Sequence, residues 1–597
     1  MNISYFNSIF YLLGVLSLAV SFFLYKKSDK KLTGFTWVVL IIIMLNCFHC
    51  LTAPVFDLVN LPVNLITVGL VDYAVSAVFW YQIIKKKEIQ KYSFSWMDGL
   101  FAFGLICFLV VFTMVRFGGL NFNINFLVAD AACHFRETMD FINTQTLNSM
   151  YYEFLNNGLF ISMLGPLTTV EYYYKFFVLS EIINLGLSAT VIYGICRRKT
   201  DNIFIQFMAC VVSAIYVVGY PLNSAIFGFV YLGMCIIVIG AIYIVVDMYL
   251  EDEINEKICI FMMMIGCLGV ALGYVLFAPI VFIAVCLCIF YKQKKNGKLV
   301  SWNTIIKCLI TFLIPCVLCI LYTYMSIFSE DNTVSQAMTN EGGIYRNLYS
   351  NFVLFLPGII AGYILAIKRK KPNFSSVLAP LTLTYTVILG VKVLNGTSST
   401  YYFFKMYYLL WLIALVLVFE SLVLLERQAK IVVSTFVFMW CGFCALNVLD
   451  LESKIRQKSP LMSEYDTVCW YVNVVSYNLG NILQQQAPFC DNRVEIYHFV
   501  EQELIGKEDA LVPMAGEWVE DLWYQAITNQ RYGGWGVGDP TEWFSYYHSS
   551  GAEYVFVNKH SSLYLIEQDF FESLDKVFEN EIGFVAKYAP NPKYLTQ

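Results

Sequence analysis

Charge is what this 597-residue chain has least of. Only 14% of its residues are Asp, Glu, Lys or Arg, where a soluble globular protein carries about a quarter. That scarcity excludes a purely soluble protein. It also excludes disorder, which needs high charge and few aromatics, because the chain holds 49 Phe and 41 Tyr. The strict apolar–polar alternation of a membrane β-barrel is missing, since the apolar runs are continuous. No repeat of fixed period and no low-complexity tract is present, which excludes a repeat array. Histidine is rare, at five residues, and no zinc-ligand spacing occurs. Cysteine is not rare, but 16 of the 18 precede residue 450, mostly inside apolar runs, where a thiol behaves as a small hydrophobe.

What is abundant is apolar length. Runs of the roughly 20 residues that cross a bilayer recur near 6–25, 35–56, 62–84, 96–116, 176–196, 203–220, 224–246, 258–274, 276–291, 305–327, 350–367, 376–394, 405–425 and 431–449. They predict a polytopic all-α membrane protein with about 14 transmembrane helices, in which residues 258–291 form a tight hairpin. Alternate connections hold 22 of the 39 Lys and Arg, including Lys26, Lys85, Arg197, Lys257, Lys292, Lys368 and Arg427. The other set holds Arg116, Arg136, Lys175, Arg346 and Lys405. Short cytoplasmic loops keep the positive charge, so both termini are expected outside the cytoplasm. The first span lacks a basic stretch before it and a small-residue cleavage site after it, and reads as a retained helix of a multi-pass cell-membrane protein.

From Asp450 onward the composition changes. The last 148 residues hold 10 Lys and Arg against 22 Asp and Glu. This is an acidic, soluble, extracytoplasmic domain, with helices expected near 463–485, 493–505, 516–528, 541–549 and 565–578 and strands near 510–514, 553–558 and 583–588. It reads as a small α/β module. Its two cysteines, Cys469 and Cys490, form a bridge only if their Cα atoms lie within about 7 Å.

Two long outer loops, 117–175 and 328–349, are where exterior chemistry would sit. The first reads Asp130-Ala-Ala-Cys133-His134-Phe-Arg136-Glu137-Thr-Met-Asp140. On a helix, Asp130, His134 and Glu137 share one face at i, i+4 and i+7, while Phe126, Cys133 and Phe141 anchor neighbouring faces. A carboxylate beside an imidazole suits general-base work: the Asp accepts a hydroxyl proton and the His orients it or binds a phosphate oxygen. A helix cap on a solvated face is the plainer alternative. Lys405 opens a span at the outer surface, against the positive-inside bias, after a run of small and hydroxyl residues beginning at Gly396. That suits a phosphate or pyrophosphate, with Arg346 and Arg136 as further candidates; a snorkelling lysine is the alternative. Tyr152, Tyr172, Tyr402 and Trp535 offer faces for sugar rings, though Tyr also gathers at membrane interfaces regardless of function. Within spans, Asp72, Glu181 and Glu420 are scattered, and no acid in spans two to four pairs with a central cation. Glu181 lies near the outer end of its span and would border the same region as Asp130.

On these features the chain resembles the GT-C superfamily of membrane glycosyltransferases, which use polyprenyl-phosphate-linked sugars. The resemblance is architectural: a long acidic outer loop after the first helix of a catalytic module, then variable helices and an outer domain. It implies N-terminal helices over 1–95, a catalytic module over 96–349, variable helices over 350–449 and the soluble domain over 450–597. It also implies Asp130 as catalytic carboxylate, with Glu137 or Asp140 as substitutes and His134 beside it. The expected partners are the bilayer, a polyprenyl-phosphate-linked sugar and a glycan, glycolipid or protein acceptor, with no nucleic acid. The expected reaction is sugar transfer to a cell-surface acceptor. No metal ligand is assigned, and a divalent cation has no clear ligand motif behind it: the turn near 220–223 lacks the acidic residue that some relatives carry. The rival readings are a polysaccharide polymerase or ligase, and a flippase or transporter; few outer Arg and no internal symmetry argue against them.

Overall fold

A chain segment in lipid has no water to satisfy its backbone, so an apolar run must close its hydrogen bonds internally as a helix. The computed structural model describes residues 3–122, 129–147, 152–168, 172–219, 221–222, 228, 230–295, 301–321, 348–368, 373–426, 491–532 and 539–594. Among these residues eleven helices are long and apolar enough to cross a membrane. They are α1 (Ile3–Leu24), α2 (Gly34–Leu58), α3 (Leu65–Lys86), α4 (Trp96–Phe117), α7 (Tyr174–Arg197), α9 (Val230–Leu250), α10 (Glu256–Gly273), α11 (Ala278–Lys295), α12 (Trp302–Cys319), α14 (Phe374–Leu394) and α15 (Thr400–Glu426). Two shorter apolar helices, α8 (Ile203–Gly219) and α13 (Leu356–Lys368), complete the series. Each matches an expected span, and 258–291 is a hairpin of two helices. The expected span at 431–449, most of the loop at 328–349, and Phe126, Cys469 and Cys490 lie outside the described residues.

Between α4 and α7 the long loop folds into α5 (Ala129–Thr144) and α6 (Tyr152–Leu164). α6 is buried along nearly its whole length. Gly158 lets α5 approach it, because a Cβ there would meet Phe141 Cδ1 at 2.2 Å. Phe141 thus anchors α5 to the membrane core, as its sequence position implies, whereas Cys133 packs toward the C-terminal domain.

Among the described residues, the Lys- and Arg-rich connections at 25–33, 87–95, 198–202 and 251–255 gather at the bundle end opposite α5 and α6. There β1 (Leu32–Thr33) pairs in parallel with β2 (Tyr92–Ser93), and Asn255 N–H donates to Lys27 C=O at 3.0 Å. A buried ionic knot ties four helices together at this end. The Glu420 carboxylate accepts from Lys199 Nζ, from Tyr243 Oη at 2.9 Å, from Ser375 Oγ at 3.2 Å and from Asn373 Nδ2 at 2.6 Å. Asp247 accepts from the Phe374 N–H at 2.8 Å and faces Lys199 at 3.4 Å. Asp72 also has a partner, His49 Nε2 at 3.2 Å, with both side chains buried. Asp72 and Glu420 therefore have partners on other helices, which spacing along one helix cannot reveal.

The C-terminal region is helical and sheet-forming, as expected. α16 (Asp491–Phe499), α17 (Trp518–Thr528) and α18 (Pro540–Ser549) accompany a four-stranded sheet of order β3-β4-β6-β5. Its strands are β3 (Met514–Ala515), β4 (Tyr554–Asn558), β5 (Lys576–Glu579) and β6 (Gly583–Lys587). The helix expected over 565–578 is instead two short helices, Ser562–Ile566 and Gln568–Glu572, followed by β5. Lys576, Phe578 and Glu579 pair with β6, and this ladder outweighs local helix propensity.

The ionic knot makes a stability prediction. Glu420→Leu removes the nearer of the two carboxylates facing buried Lys199 and strands the Tyr243, Ser375 and Asn373 donors, at a cost of about 3–5 kcal/mol, read as a lowered unfolding midpoint. Adding Lys199→Met recovers most of that loss; a double variant as unstable as the single one contradicts the pairing.

Candidate functional site

α5 is packed from two sides, by α17 and by α6. Ala131, Ala132 and Phe135 belong to the core shared with α17, where the Phe135 and Trp523 rings lie 6.3 Å apart. The same side carries an Asp140–Arg531 ion pair, an Arg531 guanidinium N–H to Arg136 C=O bond of 3.1 Å and an Asn143–Asn529 bond of 3.0 Å. Phe141 faces the bundle at α6, and His134, seven residues earlier, meets α6 on the same side, with Asp130 one turn before it.

His134 Nδ1 lies 2.7 Å from Glu153 Oε2, a carboxylate in the first turn of α6 that is 1% exposed. The imidazole stacks on Tyr231 of α9, with centroids 4.9 Å apart and planes at 4°. Tyr231 Oη accepts from Lys405 Nζ at 2.6 Å. The Lys405 ammonium, buried in α15, sits 4.0 Å from the ring centroid of Tyr401, 4.8 Å from that of Tyr274 and 4.9 Å from that of Tyr231. Such a cage favours a cation by the ring quadrupole. The exposed Asp130 carboxylate lies within electrostatic range of Lys405, His134, Tyr231 and Tyr401.

Two stretches 275 residues apart, the acidic loop and the outer start of a late span, therefore meet at one point. Ser398 and Ser399, just before α15, are buried with hydroxyls that find no partner among the described residues. A helix N-terminus, two such hydroxyls and an ammonium together favour an anion.

Burial pushes the His134 imidazole down, but the Glu153 charge and hydrogen bond, assisted by Asp130, outweigh it and hold the group above its ordinary value. The Glu153 contact thus favours the protonated form of the ring relative to a free imidazole. Asp130 is left as the carboxylate free of that pairing.

No family model matches this chain. No curated protein is significantly similar to it either.

The remaining candidates fall elsewhere. Glu137 faces Arg136 at 3.9 Å, and Arg136 turns with its carbonyl toward the C-terminal domain, since two residues along a helix rotate it away from His134. Tyr152 is buried in the membrane core. Tyr172 is buried in the interdomain core, its hydroxyl donating to Val494 C=O at 3.4 Å. Tyr152 and Tyr172 do not join the cluster because packing buries them, whereas Arg136 and Glu137 face each other on the helix surface. Tyr402 is half-buried beside Tyr401. Arg346 and Trp535 lie outside the described residues. Glu153, Tyr231 and Tyr274 are additions that spacing could not reveal; the one available signal was an acid in the first turn of a helix inside a long loop.

The His134–Glu153 pair has a signed pH dependence. A raised imidazole value means the contact stabilises the fold fully below the ordinary histidine value, and that stability is lost as pH rises through the folded value. Comparing unfolding midpoints of wild type and Glu153→Gln across the neutral range should show the largest deficit in acid, shrinking with rising pH. A deficit that grows with pH contradicts the assignment.

Proposed function

We propose that this chain is a GT-C-like membrane glycosyltransferase of about 14 spans with a small α/β domain outside the cytoplasm. It transfers a sugar from a polyprenyl-phosphate carrier to a cell-surface glycan, lipid or protein. The observation that carries the reading is the convergence of Asp130 and His134 with Lys405 at the bundle end opposite the Lys-rich loops. Phosphate chemistry with an acid base needs both a carboxylate and cations at one point, and these residues supply them.

A second observation supports a lipid-borne substrate. An apolar groove of about 550 Å³ runs between α13, α14 and α15, from Phe403 to Leu417. Along α15 that is about 21 Å at 1.5 Å per residue, room for a stretch of isoprenoid chain. Phe403 lies within one helical turn of Lys405, so the groove's end and the ammonium stand at the same height along α15, on different faces of it.

In this mechanism Asp130 accepts the proton of the acceptor hydroxyl as its oxygen attacks the anomeric carbon. The bond from that carbon to the phosphate oxygen breaks, and its electron pair stays on the phosphate. Lys405, the His134 imidazolium and the Ser398 and Ser399 hydroxyls stabilise the charge that builds there. Glu153 fixes the imidazole through Nδ1, leaving Nε2 as the donor toward substrate.

Purified protein in nanodiscs, supplied with a panel of polyprenyl-phospho-sugars, should consume one of them. Asp130→Asn should lower that rate by about 100-fold or more without impairing membrane insertion; wild-type turnover in the variant removes Asp130 from the mechanism. Orientation is tested separately. A membrane-impermeant maleimide applied to intact cells should label Thr144→Cys and spare Lys86→Cys, and the reverse pattern places the site in the cytoplasm.

A further inference from the structure

The Lys-rich end of the bundle carries an apolar groove that the transfer reaction leaves unused. α1, α2, α3 and α10 each contribute to this cleft of about 230 Å³. Phe22 and Phe79 meet on one wall with ring centroids 5.2 Å apart, and Phe48 and Phe261 meet on another at 6.4 Å. Along α10 the lining runs from Lys257 to Ile265, about 12 Å at 1.5 Å per residue. Every lining side chain is apolar except Lys257, which stands in the first turn of α10. The groove thus has a greasy interior and a single charge at its polar end.

That charge is not neutralised locally. Each acid within five residues of Lys257 already faces a different cation: Asp252 meets Lys292 at 2.8 Å, Glu253 meets Arg198 at 2.9 Å and Glu256 meets Lys307 at 2.8 Å. The exposed Lys257 ammonium has no ion-pair or hydrogen-bond partner among the described residues. Lys30 stands close by, its Nζ donating to Asp252 C=O at 3.5 Å, and the Asn255 N–H bond to Lys27 C=O ties its segment to the start of α10. Lys27 itself is committed elsewhere, donating to the Phe23 and Tyr25 carbonyls and the Tyr92 hydroxyl. A lysine beside lipid snorkels into water whether or not it binds anything. An apolar slot that ends at free ammonium groups does more: it matches an amphiphile with a hydrocarbon chain and an anionic head.

We propose that this groove binds one anionic phospholipid from the leaflet at the Lys-rich end, with an acyl chain lying between α1, α2, α3 and α10 and the phosphate resting at Lys257 and Lys30. Anionic lipid is concentrated in the leaflet that faces the cytoplasm, the side to which the positive-inside bias assigns this end. The groove and Lys405 lie at opposite ends of the bundle, so this lipid is not the sugar donor, and the inference does not rest on the transfer reaction. A free phosphate would gain nothing from the apolar walls, and a neutral lipid would gain nothing from the ammonium groups. Only a ligand with both parts uses the whole site.

Native mass spectrometry of the full chain in neutral detergent tests this directly. Given equal amounts of phosphatidylglycerol and phosphatidylcholine of the same chain length, the wild type should retain phosphatidylglycerol in preference. An ammonium at a membrane surface changes anionic-lipid affinity by about fivefold, so Lys257→Gln should lower the retained ratio by about that factor. Lys368→Gln removes another exposed cation, in the last turn of α13 and outside the groove, and should leave the ratio unchanged. Both lysines are exposed, so neither substitution disturbs packing. No preference in the wild type overturns the site, and so do equal losses in the two variants, which would mark a diffuse basic surface. The groove is tested through the ligand. Excess dihexanoyl phosphatidylglycerol or inorganic phosphate offers the charge without the long chain and should not displace the bound lipid; displacement by either overturns the role of the groove.

Discussion

A buried ammonium is expensive in a bilayer-embedded bundle, and everything at this end of the protein is arranged around one. Lys405 enters α15 at the second turn, where three tyrosine rings and the Tyr231 hydroxyl receive it. Tyr231 in turn carries the His134 ring on its face, and Glu153 holds that ring from the other side. The chain of contacts runs across α15, α9, α5 and α6. Remove the cation and the stack loses the reason for its geometry, since intramembrane charge persists where it is paired and used.

The helix bearing Asp130 is held from two directions. Phe141, seated against Gly158, fixes it to the bundle, while Phe135, Asp140 and Asn143 fix it to the C-terminal domain. The proposed site needs such a shared element, because a displacement of about 1 Å would spoil a reacting geometry there. At the far end, Glu420 and Asp247 bind α15 to α7, α9 and the start of α14. α15 is therefore pinned by charge near both ends.

Much of this was legible in the sequence. Helix runs and the change at Asp450 follow from composition, and Lys405 stood out because it broke the charge asymmetry of the loops. Asp130 and His134 stood out because a four-residue spacing in a long loop puts them on one face. What could not be read were contacts between distant elements. Tyr231 is 174 residues from Lys405, and one more tyrosine in a chain of 41 carries no mark. Glu153 was hidden among aromatic neighbours. Tyr152, Tyr172, Arg136 and Glu137 were credible by residue type, but packing claimed both tyrosines, rotation by two residues turned Arg136 from His134, and Glu137 faces Arg136.

Binding of the bare leaving group reaches the centre of this account without knowledge of the sugar. Undecaprenyl phosphate added to the nanodisc-embedded protein should give a bound ³¹P signal distinct from that of the free lipid. Lys405→Met should abolish that signal while leaving the fold intact, because the tyrosine cage tolerates an unbranched apolar side chain. Equal phosphate binding by the wild type and Lys405→Met would contradict the claim that this ammonium is the phosphate anchor, and with it the site built around it.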